Sequence, residues 1–328
     1  LAIKLKNMIS QKKIVIGIRD SALSNAQTEE FISLASKNVN ALSVDNFEIK
    51  HIKTTGDIKN SERLDKIGGK GLFIKEIEEK ILSEEVDIGV HSMKDMPSED
   101  HDELEIICYM KRLNASDVLI SNSGKTLSNL PSGSVIGTSS MRRRAQIINF
   151  RKDVNIKLLR GNVDTRLNKL KDHKYDAIVL AYAGISRLKK ESQITEVLDR
   201  NIFLPAAGQG VVGIQSKRNT DFKKIFNSIN NAEAELVNIA ERNFLKIINA
   251  NCNSPVSVNA NVDNNELKIE CQIFSHDGDL LHKNILTGVK EDYKDLSDEL
   301  GKIAISTLGQ STIDNLDEFN NDFNYSAC

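Results

Sequence analysis

Short β-branched apolar runs alternate with longer amphipathic stretches along most of the chain, and this alternation constrains the fold more than any other feature. Lys13–Ile18, Phe47–Lys53, Val86–His91 and Glu105–Met110 read as strands. Ser21–Ala35 reads as a helix, and so does Leu72–Leu82, with apolar residues at 73, 74, 77 and 81. Such alternation implies βαβ units and a mostly parallel sheet. The pattern restarts near Asp117. Asp117–Ile120, Ser134–Gly137, Asn155–Leu159 and Ala177–Ala181 are the strands, with Met141–Phe150 and Val163–Leu170 the helices. After Ala232 the character changes to a long helix, three strand-like runs (Val256–Val262, Leu267–Ser275, Asp279–Leu286) and a helix near Leu296–Leu308. The Asp277-Gly278 turn joins the last two strands. The expected fold class is α/β, with two α/β domains followed by a small α+β domain, and a loose Asn-rich tail from Asn315.

Two or three domains suit 328 residues, and a formal net charge of −2 gives no global pull towards nucleic acid or an anionic membrane. No apolar run approaches the ~18–20 residues of a membrane span. The first ten residues do not form a secretory signal, and Met8 is a candidate start. Cys108, Cys252, Cys271 and Cys328 have no CxxC spacing, so neither a zinc site nor a disulfide framework is expected. A cytoplasmic location follows as the expectation.

The arginines are unevenly placed. Lysines outnumber them 31 to 13, yet nine of the thirteen lie between Arg112 and Arg200. Arg142/Arg143, Arg160/Arg166 and Arg187 follow three successive strands. In a parallel sheet such strand ends line one edge, where ligands bind. A guanidinium fork matches carboxylate or phosphate, so this row points to a polyanionic ligand. Gly137–Arg144 (GTSSMRRR) adds a hydroxyl-rich turn at a helix start, and three arginines there run against the helix dipole unless an anion relieves them. Ser140 also serves as an ordinary N-cap. His91–Pro97 (HSMKDMP) puts a hydroxyl, an ammonium and a carboxylate after a strand, with Met93 and Met96 packing inward; a solvated polar turn is the plainer account. Lys66–Gly71 is glycine-rich but lacks the spacing of a phosphate-binding P-loop. Cys252 lies in a polar loop, Asn249–Pro255. No Ser-His-Asp or Cys-His arrangement is evident.

Several long motifs, in order from about Ile14 to Leu308, resemble the porphobilinogen deaminase (hydroxymethylbilane synthase) family. They are Arg19-Asp20-Ser21 with Gln27, Lys66–Phe73, the HSMKDMP segment, GTSSMRRRAQ, Leu159–Leu167, Asp176–Leu188 and Leu204–Gly210. The resemblance implies two periplasmic-binding-protein-like domains with the site between them. They are 1–112 with 211–230, and 113–210, followed by a cofactor-attachment domain, 231–328. It implies a transferase that joins four porphobilinogen molecules head to tail on a covalent dipyrromethane, releasing ammonia and a linear tetrapyrrole. Asp95 resembles the catalytic aspartate. Cys252 matches the thioether attachment point. Ser92, Lys94, Thr138, Ser139, Ser140, Arg142, Arg143, Arg160 and Arg166 would bind the cofactor, and Arg19, Ser21, Lys66, Arg187 and Gln209 the substrate. No metal is implied, and a monomer is expected. Two departures stand out: Ala250-Asn251 replaces the usual pair of glycines before the cysteine, and Gln215 stands where an acid is common.

Two rival classes fit less well. A non-enzymatic solute-binding protein predicts an export signal and needs neither Asp95 nor Cys252. A nucleic-acid binder predicts a basic domain with exposed aromatics, whereas aromatics are 5% of this chain.

Overall fold

The computed structural model describes residues 13–40, 42–54, 74–251 and 253–317. The chain divides into two compact units, residues 1–113 with 211–235, and residues 114–210 with 236–328.

The first unit is built on a five-stranded sheet, in the order β2-β1-β3-β10-β4. Its strands are β1 (Ile14–Arg19), β2 (Phe47–Ile52), β3 (Ile88–Ser92), β4 (Leu104–Tyr109) and β10 (Val212–Lys217). Strand β1 pairs in parallel with β2 and β3, while β10 runs antiparallel to both β3 and β4. Four strands therefore point one way and the fifth is reversed, so half of the neighbouring pairs are antiparallel where a mostly parallel sheet was expected. The reversed strand re-enters from a distant part of the chain. Helix α1 (Ala22–Asn38) is capped by Ser21, whose Oγ accepts from the Ser24 N–H at 3.1 Å. It buries Phe31, Ile32 and Ala35 against Ile14, Ile16 and Ile18, the inward residues of β1. The Phe31 and Phe226 rings meet edge to face, with centroids 5.1 Å apart. Helix α2 (Lys75–Leu82) buries Ile77 and Ile81, one turn apart.

The second unit carries two sheets. The first has the order β7-β6-β8-β5-β9, from β5 (Asp117–Ser121), β6 (Val135–Gly137), β7 (Asn155–Lys157), β8 (Ala177–Ala181) and β9 (Glu196–Val197). Here β6 pairs in parallel with β7 and β8, and β5 is the reversed strand. Alternate residues of β5 and β8 enter different clusters, with Leu119 and Val179 in one and Val118, Ile120, Ile178 and Leu180 in the other. Both faces are thus covered, which explains the unbroken apolar runs. Helices α3 (Met141–Phe150), α4 (Val163–Lys171) and α5 (Tyr182–Arg187) follow β6, β7 and β8.

Short helix α6 (Phe222–Phe226) precedes α7 (Ala232–Ile247). Strands β11 (Val256–Asp263), β12 (Glu266–Phe274) and β13 (Leu280–Val289) form an antiparallel meander. Its turn places Gly278 at φ +87°, where a side chain is disfavoured. The meander packs on Phe244 of α7, on Ile248 just after it, and on Leu300 and Ala304 of α8 (Tyr293–Leu308). The tail was expected to loosen from Asn315. Instead α9 (Gln310–Asp314) and residues 315–317 dock, because Ile313 and Leu316 are 3% and 5% exposed in this core, while the rest of the expected tail, 318–328, lies outside the described residues.

Among the described residues no helix is long and apolar enough to cross a membrane.

Candidate functional site

In the first unit, adjacent parallel strands β1 and β3 end side by side, and their carboxyl ends carry the expected residues. A pocket there is lined by Arg19, Ser21, Gln27, His91, Ser92 and Asp95. Gln27 Nε2 donates to Ser92 Oγ at 2.8 Å, tying α1 to the end of β3. A single 3-10 turn, Met93–Asp95, follows. Met93 and Met96 are buried, Lys94 is half-buried and Asp95 is exposed. The apolar pair anchors the turn and leaves the Asp95 carboxylate facing outward. Lys66 and the rest of the Lys66–Phe73 motif lie outside the described residues.

His91 lies behind this turn, and its role escaped the sequence. It is 4% exposed, and burial pushes its imidazole down to about 4, against the nearby Gln215 side chain and the negative charges of Asp95 and Asp100. The ring occupies the space over Gly89, where a Cβ would lie 2.7 Å from His91 Nε2. Gly89 pairs with Gln215 across the sheet. The fully buried Gln215 side chain donates through Nε2 to Glu78 Oε1 at 2.8 Å. Burial leaves the histidine uncharged near neutral pH.

In the second unit, the order β7-β6-β8 sets three parallel strand ends side by side. Ser139 and Ser140 follow β6, Arg160 and Arg166 follow β7, and Arg187 follows β8; all five are half-buried. Ser140 Oγ caps α3 by accepting the Arg143 N–H at 3.4 Å. Thr138 points inward, its Oγ1 accepting the Ser140 N–H at 3.2 Å. Arg166 Nε donates to the Gly161 carbonyl at 2.7 Å, and both Arg187 Nη atoms lie 3.5 Å from the Gly210 carbonyl.

Arg142 and Arg143 stand elsewhere than at an open helix start. Both guanidinium groups turn into the unit and meet Asp117. Arg142 Nη1 lies 2.8 Å from Asp117 Oδ2, and Arg143 Nη2 donates to Oδ1 at 2.7 Å. Burial opposes the charge of Asp117, but the two guanidinium groups and the hydrogen bonds from Arg143 and Gln209 hold its carboxyl well below the usual carboxylate range. The cluster keeps one net positive charge, buried beneath the N-terminus of α3. Gln209 also differs from its expected substrate contact. It is 1% exposed, and its Nε2 donates to Asp117 Oδ1 at 2.9 Å and to the Ala115 carbonyl. The loop carrying it is fixed by the fully buried Glu241, which accepts from the Gly208 N–H at 2.7 Å. Arg144 reaches the His276 carbonyl in the β12–β13 turn. Asp117 was missed as a site residue, although a carboxylate heading an apolar strand in an arginine-rich region was a usable signal.

Cys252 lies outside the described residues. Cys108 and Cys271 are buried free thiols, each pushed up to about 12 chiefly by burial, which makes them inert as nucleophiles.

Two family models match the chain. Residues 14–224 match the porphobilinogen deaminase dipyromethane cofactor binding domain, and residues 236–308 match the porphobilinogen deaminase C-terminal domain. A porphobilinogen deaminase of Bacillus mycoides is 42% identical over 282 residues, covering 85% of this chain and 90% of that protein. That of Halalkalibacterium halodurans is 42% identical over 280 residues, covering 84% and 89%. Among solved structures, the Bordetella pertussis BvgS periplasmic domain is 12% identical with a TM-score of 0.41, covering 70% of this chain and 42% of that one. The matched domains and the relatives covering most of both chains show that this chain belongs to the porphobilinogen deaminase family.

Proposed function

We propose that the chain is a transferase that deaminates four porphobilinogen molecules and joins them head to tail on a dipyrromethane held by a thioether to Cys252, releasing four ammonia molecules and, as water cleaves the finished chain from the primer, hydroxymethylbilane. It acts as a cytoplasmic monomer in this reading, with residues 231–328 as the cofactor-attachment domain. The observation that carries the proposal, in a chain of this family, is Asp95: an exposed carboxylate on an anchored turn at a strand end, beside Ser92 and Lys94.

The residues fit the cofactor. Each pyrrole ring bears an acetate and a propionate, so a dipyrromethane is a polyanion. The strand-end edge of the second unit offers Ser139, Ser140, Arg160 and Arg166, over a buried cluster with one net positive charge. Arg142 and Arg143 contribute through that charge and Thr138 through the shape of the turn; Ser92 and Lys94 also bind it in this reading. When bound, the dipyrromethane supplies the free α-carbon on which the chain grows. Arg19, Ser21 and Arg187 bind the carboxylates of incoming porphobilinogen.

Asp95 acts on the substrate. The C–N bond of the aminomethyl group breaks, ammonia leaves, and positive charge spreads over the pyrrole ring. The Asp95 carboxylate accepts the pyrrole N–H and stabilises that charge as it develops. Its Oδ atoms can also accept a proton. Ammonia release from porphobilinogen by wild type, lost in Asp95→Asn, tests the proposal; a wild-type protein that releases none refutes it.

A further inference from the structure

Asn251 and Ser254, which flank Cys252 in the chain, are both held by one carboxylate from the C-terminal segment. Asn251 Nδ2 donates to Asp317 Oδ2, and Ser254 Oγ donates to Asp317 Oδ1. The two residues are also bonded to each other. The Asn251 N–H donates to Ser254 Oγ at 2.8 Å, the Asn253 N–H to Asn251 Oδ1 at 2.8 Å, and the Ser254 N–H to the Asn251 carbonyl at 3.1 Å. Donors and acceptors match throughout: the amide of Asn251 gives hydrogens on one side and accepts on the other, and the Ser254 hydroxyl does both.

Asp317 is brought there by burial of its neighbours. Ile313 and Leu316 sit in the same core as Ala250, Val256 and Val258, so the segment is seated immediately beside the turn. That segment lies beyond residue 308, where the family match ends. Asn251 also occupies one of the two positions where the resemblance leads one to expect glycine, and a glycine has no side chain to offer a carboxylate.

We infer that Asp317 is a positioning residue for cofactor attachment, acting through Asn251 and Ser254 to fix the ends of the turn and so the presentation of the Cys252 thiol. The inference rests on the proposed attachment at Cys252. In that attachment the thiol and two porphobilinogens combine. One C–S and one C–C bond form, two C–N bonds break, and the thiol and α-carbon hydrogens leave with two ammonia molecules. A turn with side chains where glycines are usual has a different set of accessible backbone shapes. Clasping Asn251 and Ser254 to one carboxylate narrows that set.

The test uses the full-length apoprotein, made in a host unable to synthesise porphobilinogen. Wild type, Asp317→Ala, Ser254→Ala, the double variant and Asp317→Glu are mixed with porphobilinogen, quenched in denaturant at intervals and weighed intact. Thermal unfolding is recorded for each. Removing one charge-assisted hydrogen bond should slow attachment about tenfold or more. The double variant should be no slower than the slower single, because both changes open the same clasp. Asp317→Glu should recover part of the rate. Alkylation of apoprotein by iodoacetamide, mapped to Cys252, should change rate in Asp317→Ala while Cys108 and Cys271 stay protected. Attachment by folded Asp317→Ala at the wild-type rate overturns the inference alone. A wild-type chain that gains no dipyrromethane overturns the reading beneath it.

Discussion

Arg143 Nη2 and Asp117 Oδ1 meet at 2.7 Å in the interior of the second unit, and Arg142 closes on the other oxygen of the same carboxylate. Three ionised groups are thereby removed from water together, which is tolerable only while all are present. Asp117→Asn should destabilise the protein by about 3–5 kcal/mol, since it strands two buried guanidinium groups. Urea unfolding monitored by circular dichroism would measure this. Because the folded carboxyl is depressed, its stabilisation is present above the unfolded value near ~3.9 and is lost as pH falls towards the folded one. A variant of wild-type stability would remove Asp117 from the centre of this unit.

Arg142→Ala and Arg143→Ala should lower stability and also slow cofactor assembly, because each deletes the net charge beneath the edge where the polyanion is proposed to sit. Arg144→Ala loses a bond to the His276 carbonyl instead. It should cost on the order of 1 kcal/mol in unfolding and leave turnover close to wild type. Equal effects of all three on turnover would contradict the division made by the structure.

His91 makes stability depend on pH in a mildly acidic window. Its folded value is about 4, below the ordinary ~6.5 of an unfolded chain. The unfolded state therefore binds a proton first, and stability falls as pH is lowered from about 6.5 to about 4. The loss should be on the order of 3 kcal/mol for a fully neutral native imidazole. Denaturation midpoints at pH 4.5 and 7 should differ less in His91→Phe than in wild type. An equal difference in both proteins would show that His91 is not the group responsible.

Asp95→Asn should keep the fold, because the side chain is exposed and the turn is anchored by Met93 and Met96. Turnover should fall by roughly 10²–10⁴, the usual cost of removing an electrostatic or acid–base group. Unchanged steady-state ammonia release would assign Asp95 to an ordinary solvated turn.

What was legible in the sequence was whatever depends on neighbours. The α3 helix, the strand β8, the Ser140 cap and the inward packing of Met93 and Met96 all follow from local period or residue type. The row of strand-end arginines was legible too, because strand ends can be placed from periodicity. Pairings across the chain were not. Strand β10 pairs with β3 and β4, more than a hundred residues earlier, and nothing within Val212–Lys217 announces its direction. Likewise, Asp117 recruits Arg143 and Gln209 from 26 and 92 residues away. The arginines of α3 consequently looked free to face a ligand. Leu316 and Asp317 looked like the start of a loose polar tail because their partners lie far back in the chain, in the core and at Asn251 and Ser254.

The most direct measurement of the central claim is the intact mass of the purified, reduced and denatured chain, wild type beside Cys252→Ser. A thioether survives reduction and denaturation, unlike a disulfide. Wild type should be heavier than its sequence by one dipyrromethane, the added mass mapping to the peptide containing Cys252. Cys252→Ser should lack both the mass and the activity, while Cys108, Cys271 and Cys328 variants keep both. An active wild-type enzyme whose Cys252 is unmodified would contradict the account.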